Sequence, residues 1–200
     1  TLTGDASLSR RPMRRVTEPL THMGARFETS PDGTLPVTVH GTDSMRPYSY
    51  ASPVASAQVK TAVLLAGLRT SGGVRVTEPA ASRDHTELLL PAFGVKLKHV
   101  PESLSASLCG PQVPVATRVA VPRDPSSAAF MACAALMIPG SEITLPGVSL
   151  NPTRTGFLRF LERAGADITT AEQPSAGAEL VGAITVRHTP SLRPAIVTAE

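Results

Sequence analysis

Apolar positions along the chain recur with a helical period in some stretches and as short runs in others. The clearest helical stripe places apolar residues at i, i+3, i+4 and i+7: Phe157, Phe160, Leu161 and Ala164. Such periodicity, with polar starts and Gly or Pro stops, predicts five helices: 11–23, 56–68, 84–93, 126–138 and 155–164. Short apolar runs between them predict strands: 26–29, 35–40, 74–76, 95–100, 115–121, 143–145, 167–169 and 183–186. This alternation predicts an α/β fold.

The predicted elements repeat. Three helices end at Gly24, Gly94 and Gly165, at intervals of 70 (94 − 24) and 71 (165 − 94) residues. Two further apolar helices open at Ser56 and Ser126, which we pair as equivalent because they are also 70 residues apart (126 − 56). Each unit therefore follows the order helix, strand, helix, strand, strand, and three such units account for nearly the whole chain.

Composition narrows the classes of function. The 200 residues carry a formal net charge of +3, 42% hydrophobic and 4% aromatic residues. A mildly basic chain with scattered arginines and few aromatics favours a small anionic ligand over nucleic acid. The two cysteines form no disulfide framework. The longest apolar run, 128–138, is too short to span a bilayer, so we expect no membrane partner.

Arginines cluster at a predicted helix start, where the helix dipole disfavours positive charge. Four arginines lie on the first turns of the first predicted helix: Arg10, Arg11, Arg14 and Arg15. Each cation there opposes the helix dipole by about 0.3–1 kcal/mol. Either these side chains form a solvated basic surface or they hold an anion, for which the guanidinium group is well suited.

Two other helix starts carry candidate chemistry. Ser56 is a good N-cap, and with Ala57 and Gln58 it also forms a hydrogen-bonding cradle for an oxygen-rich anion; both interpretations stay open. The next start has Ser82 or Asp84 as its cap, with Glu87 closing a capping box. Arg83 has no structural explanation there, whereas a lone His85 is most simply structural. No metal-ligand spacing and no nucleotide-binding or hydrolase motif is present.

Five motifs can now be considered together: Arg-Pro-Met at 11–13, Ser-Ala-Gln-Val-Lys at 56–60, Arg-Asp-His-Thr-Glu at 83–87, Asp-Pro-Ser-Ser at 124–127 and Asn-Pro-Thr-Arg at 151–154. In this order and spacing they resemble the central part of the enolpyruvyl-shikimate-3-phosphate synthase family, in its glyphosate-tolerant class II form. The resemblance covers essentially all 200 residues. It implies the enolpyruvyl transferase fold, an inside-out α/β barrel of β-α-β-α-β-β units, incomplete in this chain. Residues 1–121 would be the last part of the upper domain and 122–200 the start of the lower domain.

The same resemblance implies a function. The family transfers the enolpyruvyl group of phosphoenolpyruvate to shikimate 3-phosphate in the biosynthesis of aromatic amino acids. Arg11 and Gln58 would bind phosphoenolpyruvate, with glyphosate able to take its place at Arg11. The residues that would bind shikimate 3-phosphate are Ser56, Ala57, Gln58 and Arg83. The resemblance implies no cofactor and no metal, and a parent protein that is monomeric and cytoplasmic.

One departure from the family pattern bears on activity. We expect its acid–base residues to lie outside this chain, so the chain alone is expected to be inactive. A non-catalytic fragment, or one half of a split enzyme, is therefore the alternative interpretation. The related transferase acting on UDP-N-acetylglucosamine is disfavoured because its reactive cysteine is missing from residues 4–9.

Overall fold

The computed structural model describes residues 1–174 and 178–196. Its contacts divide the chain into two compact units, Thr1–Ala116 and Thr117–Glu200. We call them unit 1 and unit 2 and describe each by itself. The assignment of residues 1–121 and 122–200 to the upper and lower domains of a family stays a prediction.

Unit 1 combines three helices with two open sheets. Its elements are α1 (Arg14–His22), β1 (Arg26–Thr29), β2 (Val37–His40), β3 (Tyr48–Ala51), α2 (Ala57–Gly67), β4 (Gly73–Thr77), α3 (His85–Ala92), β5 (Leu97–Val100) and β6 (Ser105–Cys109). Strands β1 and β2 form an antiparallel pair. The larger sheet has the order β3-β4-β6-β5, in which β3 runs parallel to β4 and the remaining neighbours are antiparallel.

The core of unit 1 lies between α2 and the four-stranded sheet. Val63 and Leu64 of α2 are fully buried and belong to one apolar cluster with Val74 and Val76 of β4. Gly67 allows the close approach of helix and sheet, because a Cβ atom there would come within 3.1 Å of the Val74 and Leu108 side chains. Burial of this apolar surface is the main force that fixes α2 against the sheet.

Unit 2 has two helices and one sheet. Its elements are α4 (Pro125–Met137), β7 (Glu142–Ser149), α5 (Gly156–Arg163), β8 (Ile168–Gln173) and β9 (Val181–Arg187). The sheet is antiparallel and has the order β7-β9-β8. Ile184 and Val186, in its central strand, are fully buried, and they belong to one apolar cluster with Leu136 of α4 and Leu161 of α5.

The predicted repeat is confirmed for two units, but the prediction of three was wrong, because the described elements before α2 do not form a complete series. The series α2-β4-α3-β5-β6 and α4-β7-α5-β8-β9 share one order, and in both sheets the last strand lies between the other two. A parallel partner precedes each series: β3 pairs with β4, and Arg123 forms a parallel bridge with Val148 of β7. The unit is therefore β-α-β-α-β-β, and the α/β class is correct. Within the described ranges no sheet closes into a barrel, and no helix is long and apolar enough to cross a membrane.

One predicted strand is absent, and two observed strands were not predicted. Residues 115–121 form no strand, although Val115, Val119 and Val121 alternate, because prolines flank the segment and most of its side chains are exposed. The strand in this part of the chain is β6, where Ala106 and Leu108 point into the core and small serines alternate with them. Strand β3 was also missed, since its pairing with β4 depends on residues about 25 positions away.

Two helix starts also differ from prediction. The first helix begins at Arg14 rather than Arg11, because Arg11 precedes Pro12 and has the extended conformation that this position favours (φ −77°, ψ 135°). Asp124, not Ser126, is the N-cap of α4, with Pro125 in the first helical position. Its carboxylate accepts hydrogen bonds from the backbone amides of Ser126 and Ser127 at 3.2 and 3.1 Å.

Helix α4 presents apolar side chains on more than one face. Phe130 is 79% exposed and Met137 is 71% exposed, while Ala132 and Leu136 on the opposite side are buried in unit 2. A helix that is apolar all round is typical of a protein interior. Helix α4 therefore exposes apolar surface in this chain.

Candidate functional site

The N-terminus of α2 is the first part of the site. Ser56 occupies the N-cap position in an extended conformation (φ −152°, ψ 100°), as predicted, and its carbonyl accepts the first helical hydrogen bond from Lys60 at 3.0 Å. Its side chain makes no capping hydrogen bond. The backbone amides of Gln58 and Val59, which an N-cap side chain would normally satisfy, therefore receive no cap from Ser56.

The arginine-rich segment lies beside this helix start. Arg15, in the first turn of α1, donates from Nη2 to Oε1 of Gln58 at 3.2 Å. Arg11 lies three residues before α1 and is exposed. The sequence identified the arginine group and Gln58 separately, whereas the structure joins them through Arg15, a member of that group to which no binding role was assigned.

A buried carboxylate joins α2 to the start of α3. Glu78 accepts a hydrogen bond from the Ser56 backbone amide at 2.8 Å through Oε1, and from the Ser82 hydroxyl at 2.8 Å through Oε2. Arg83, which is exposed, follows Ser82 directly in the chain. The predicted anion-binding residues on α2 and Arg83 are thus tied to one another by a residue that the sequence analysis did not single out.

Lys60 completes a buried charge cluster with two carboxylates. Its Nζ lies 2.8 Å from Oε2 of Glu78 and 2.7 Å from Oε1 of Glu87, and the three side chains are 6%, 4% and 1% exposed. Burial alone would lower the pKa of Lys60, but hydrogen bonds and charge attraction from both glutamates raise it above its usual value. Glu87 therefore does not close the predicted capping box. A charged residue inside an otherwise apolar helix was the sequence signal for this cluster.

At the N-terminus of α4, in unit 2, side chains of the chain itself occupy the helix start. Nη2 of Arg154 donates to Oδ1 of Asp124 at 3.0 Å and to the Ser126 hydroxyl at 2.8 Å. Because Asp124 also caps the amides of Ser126 and Ser127, this helix end already holds a carboxylate and an arginine. The partial positive charge of the helix N-terminus attracts the Asp124 carboxylate, as it attracts phosphate groups.

Burial patterns show which residues of α2 and α4 correspond. Buried positions recur at i, i+4, i+7 and i+8 in both helices, as Lys60, Leu64, Gly67 and Leu68 in α2 and as Ala128, Ala132, Ala135 and Leu136 in α4. The offset is 68 residues (128 − 60), so Ser56 corresponds to Asp124. The sequence pairing of Ser56 with Ser126, at 70 residues, was wrong. Arg83 corresponds to Arg154, each standing two residues before its helix.

The difference between the starts of α2 and α4 identifies the candidate site. In unit 2 the N-cap carboxylate of Asp124 satisfies the helix amides and attracts the arginine. In unit 1 the N-cap is the uncharged Ser56, while the arginine position is kept as Arg83. At the α2 start Glu78 bonds the Ser56 amide, but the amides of Gln58 and Val59 have no described carboxylate partner, unlike those of Ser126 and Ser127, so they are donors available to an anion. Among the described residues no cluster of three His, Cys, Asp or Glu side chains could hold a metal ion.

Comparisons with known proteins agree on one family. The family model for EPSP synthase (3-phosphoshikimate 1-carboxyvinyltransferase) matches residues 1–199. The chain is 54% identical over 189 residues to the 3-phosphoshikimate 1-carboxyvinyltransferase of Xanthomonas campestris pv. campestris (strain B100), and 53% identical over 189 residues to that of Xanthomonas axonopodis pv. citri (strain 306). The chain belongs to the EPSP synthase family.

Solved structures place the fold in the same family. An EPSP synthase from Acinetobacter baumannii superposes with a TM-score of 0.81 at 44% sequence identity, over 92% of this chain and 42% of that chain. The match with the Xanthomonas campestris relative covers 94% of this chain but 43% of the relative. The chain thus spans less than half the length of the EPSP synthase relatives it matches.

The Asp124 cap gives a pH-dependent prediction for unit 2. Hydrogen bonds from the Ser126 amide and from the Ser127 hydroxyl and amide, together with the charge of Arg154, lower the pKa of Asp124 against the opposing effect of desolvation. Because the folded pKa lies below the unfolded value of about 4, this contribution to stability is present above that pH and is lost as pH falls through the folded pKa. We expect Asp124→Asn to lower protection of α4 amides at pH 6, with the difference from wild type shrinking toward pH 3.

Hydrogen exchange followed by mass spectrometry on α4 peptides measures this effect. Asp43→Asn, which removes a carboxylate from an exposed loop of unit 1, is the control for loss of one negative charge. Equal α4 protection in wild type and Asp124→Asn at both pH values would contradict a stabilising cap.

Proposed function

We propose that this chain carries part of the substrate-binding surface of an enzyme that transfers the enolpyruvyl group of phosphoenolpyruvate to the 5-hydroxyl of shikimate 3-phosphate, releasing phosphate. The observation that supports the proposal best is the N-terminus of α2, which keeps amide donors and Arg83 but lacks the carboxylate found at the corresponding Asp124. Membership of the EPSP synthase family supplies the class of reaction.

In this proposal the phosphate of shikimate 3-phosphate binds at the α2 start. The amides of the first turn and the Ser56 hydroxyl donate to its oxygens, and Ala57 leaves room because its side chain is small. Arg83 adds a charge-assisted, bidentate contact. The phosphate would thus receive in unit 1 hydrogen bonds like those that Asp124 receives in unit 2 from two amides and Arg154.

Phosphoenolpyruvate would bind on the arginine side of the same helix start. Arg11 pairs with its carboxylate or phosphate, and Gln58, held by Arg15, contacts both substrates. Glyphosate, also an anion, would compete with phosphoenolpyruvate at Arg11. The proposal calls on no metal or cofactor. It places the enzyme in the cytoplasm as a monomer, with its acid–base residues outside this chain.

Isothermal titration of the chain with shikimate 3-phosphate tests the proposal. Saturable binding is expected for the wild type, and Arg83→Ala is expected to weaken it by about 10- to 100-fold, as loss of a charge-assisted pair costs about 1.5–3 kcal/mol. Ser56→Ala should have a smaller effect in the same direction. Arg69→Ala removes the same charge just beyond the opposite end of α2 and is the matched control. Equal losses in Arg83→Ala and Arg69→Ala would show an unspecific charge effect.

The alternative role, as one half of a split enzyme, makes a separate prediction. Mixing the chain with the two flanking segments of the Xanthomonas campestris enzyme tests it. Release of phosphate from the two substrates only in the mixture would support complementation, and its absence with all pieces soluble would count against it.

A further inference from the structure

The buried cluster of Lys60, Glu78 and Glu87 is not required by the fold of the repeat. The corresponding residues in unit 2 are Ala128, Ser149 and Leu158, at offsets of 68 residues (128 − 60) for the first and 71 (149 − 78 and 158 − 87) for the other two. Unit 2 forms the same series of helices and strands with these uncharged side chains. Replacing buried ion pairs by apolar side chains is often neutral or stabilising, so the charges in unit 1 call for another explanation.

The hydrogen bonds of the two carboxylates differ. Both oxygens of Glu78 are used, Oε1 by the Ser56 amide and Oε2 by the Ser82 hydroxyl and the Lys60 ammonium. Glu87 accepts from Lys60 through Oε1, while its buried Oε2 has no partner among the described residues. Glu78 therefore links the two chain segments that present the anion donors, and Glu87 contacts neither segment through a described hydrogen bond.

We propose that Lys60 and Glu78 are positioning residues that hold the start of α2 and the Ser82–Arg83 segment together for an incoming anion. The identity of the anion rests on the proposed function, whereas the positioning role does not. Glu78 bonds the amide of the N-cap residue Ser56 from the buried side, so the amides of Gln58 and Val59 stay available for a ligand. In unit 2 the carboxylate of Asp124 instead occupies the corresponding amides of Ser126 and Ser127.

Lys60 has a separate part in this arrangement. Its ammonium group neutralises Glu78 and bonds the same oxygen that accepts from Ser82. Without it, two carboxylates would be buried together, and their repulsion and desolvation would displace Glu78 from Ser56. Lys60 thus acts on the ligand site through Glu78 and does not contact the ligand.

The test compares variants that separate positioning from stability. In Lys60→Met/Glu78→Met/Glu87→Met the whole cluster becomes apolar and, as in unit 2, carries no charge, so the melting temperature should be equal or higher. Its affinity for shikimate 3-phosphate should nevertheless fall at least about tenfold, the effect of losing one hydrogen bond to a charged group. A merely structural cluster would not give native stability together with lost binding.

Two single substitutions make the comparison sharper. Glu78→Gln replaces one carboxylate oxygen by an amide donor, which faces another donor in either orientation, the Ser56 amide or the Lys60 ammonium. It should therefore move the amide resonances of Ser56 and Arg83 and weaken binding about tenfold. Glu87→Gln keeps the pair of Lys60 with Glu78 and should change both readouts much less. Lys60→Arg, which can pair with both carboxylates, should restore most of the affinity that Lys60→Met loses.

Amide resonances of the labelled chain are recorded with and without shikimate 3-phosphate. Affinity within twofold of wild type in the folded triple variant would overturn the proposal, as would equal effects of Glu78→Gln and Glu87→Gln. If the triple variant does not fold, these two single variants decide. If the wild type itself does not bind, the proposed function fails for this chain, whereas the resonances of Ser56 and Arg83 in the ligand-free variants still decide the positioning role.

Discussion

Replacing Arg11 by alanine is expected to lower kcat/KM for phosphoenolpyruvate by about 30-fold or more, because truncating one partner of a desolvated charge pair costs about 2–5 kcal/mol and each 1.4 kcal/mol is a factor of ten. The host is the Xanthomonas campestris enzyme in which the 189 matching residues are replaced by this chain, to which they are 54% identical. The loss should appear mainly as a raised KM for phosphoenolpyruvate, measured by phosphate release.

Arg10→Ala is the matched control for Arg11→Ala. Arg10 is also exposed and directly precedes Arg11, but it lies in the short 3-10 turn Leu8–Arg10. We expect its effect on kcat/KM to stay within about threefold, as for a surface charge that steers ligands without binding them. Equal kinetics in Arg11→Ala and the unsubstituted chimaera would refute the role of Arg11. An inactive chimaera that is folded would count against the proposed function itself.

Leu64→Ala is expected to lower the free energy of unfolding of unit 1 by about 2–5 kcal/mol, since it removes a fully buried side chain and leaves a cavity. The next residue provides the control, because Leu65 is 47% exposed. Leu65→Ala should stay within about 0.5 kcal/mol of the wild type. Both changes keep the helix propensity of α2 high, so only burial distinguishes them.

Tyrosine fluorescence during urea unfolding measures this difference. The chain has no Trp, and its two tyrosines, Tyr48 and Tyr50, lie in β3 and pack against the core that contains Leu64. The signal therefore reports on unit 1. Similar unfolding midpoints for Leu64→Ala and Leu65→Ala would contradict the placement of α2 against the sheet.

Elements with strong local signals were predicted well. The helices have apolar stripes and Gly or Pro stops, and every predicted helix is present, with ends shifted by up to three residues. Strands were predicted less reliably. The alternating valines of 115–121 have the local pattern of a strand but no partner strand, whereas β6 is formed by inconspicuous small residues that pair with β4 and β5. Pairing with distant residues, rather than local preference, decides such strands.

The residues of the candidate site were also predicted only in part. The motifs at 56–60 and 83–87 identified Ser56, Gln58 and Arg83 and led to the family, which the family model confirms. Their assigned roles in binding remain proposals. The sequence analysis missed Arg15 as the partner of Gln58 and assigned Glu87 to a capping box, because both contacts join residues from different elements.

By itself the sequence determined the α/β class, the repeat of about 70 residues, the helices and the family, because these depend on periodicity and on motifs short enough to read locally. The tertiary structure alone decided which carboxylate serves which helix start. Glu78 reaches Ser56 from 22 residues away and Asp124 caps α4 from within its own turn, although the two helix starts are equivalent in the repeat. Glu78 and Lys60 form a buried pair beside the α2 start, whereas Asp124 occupies the N-cap position of α4. That difference follows from packing across separate elements, which no local pattern contains.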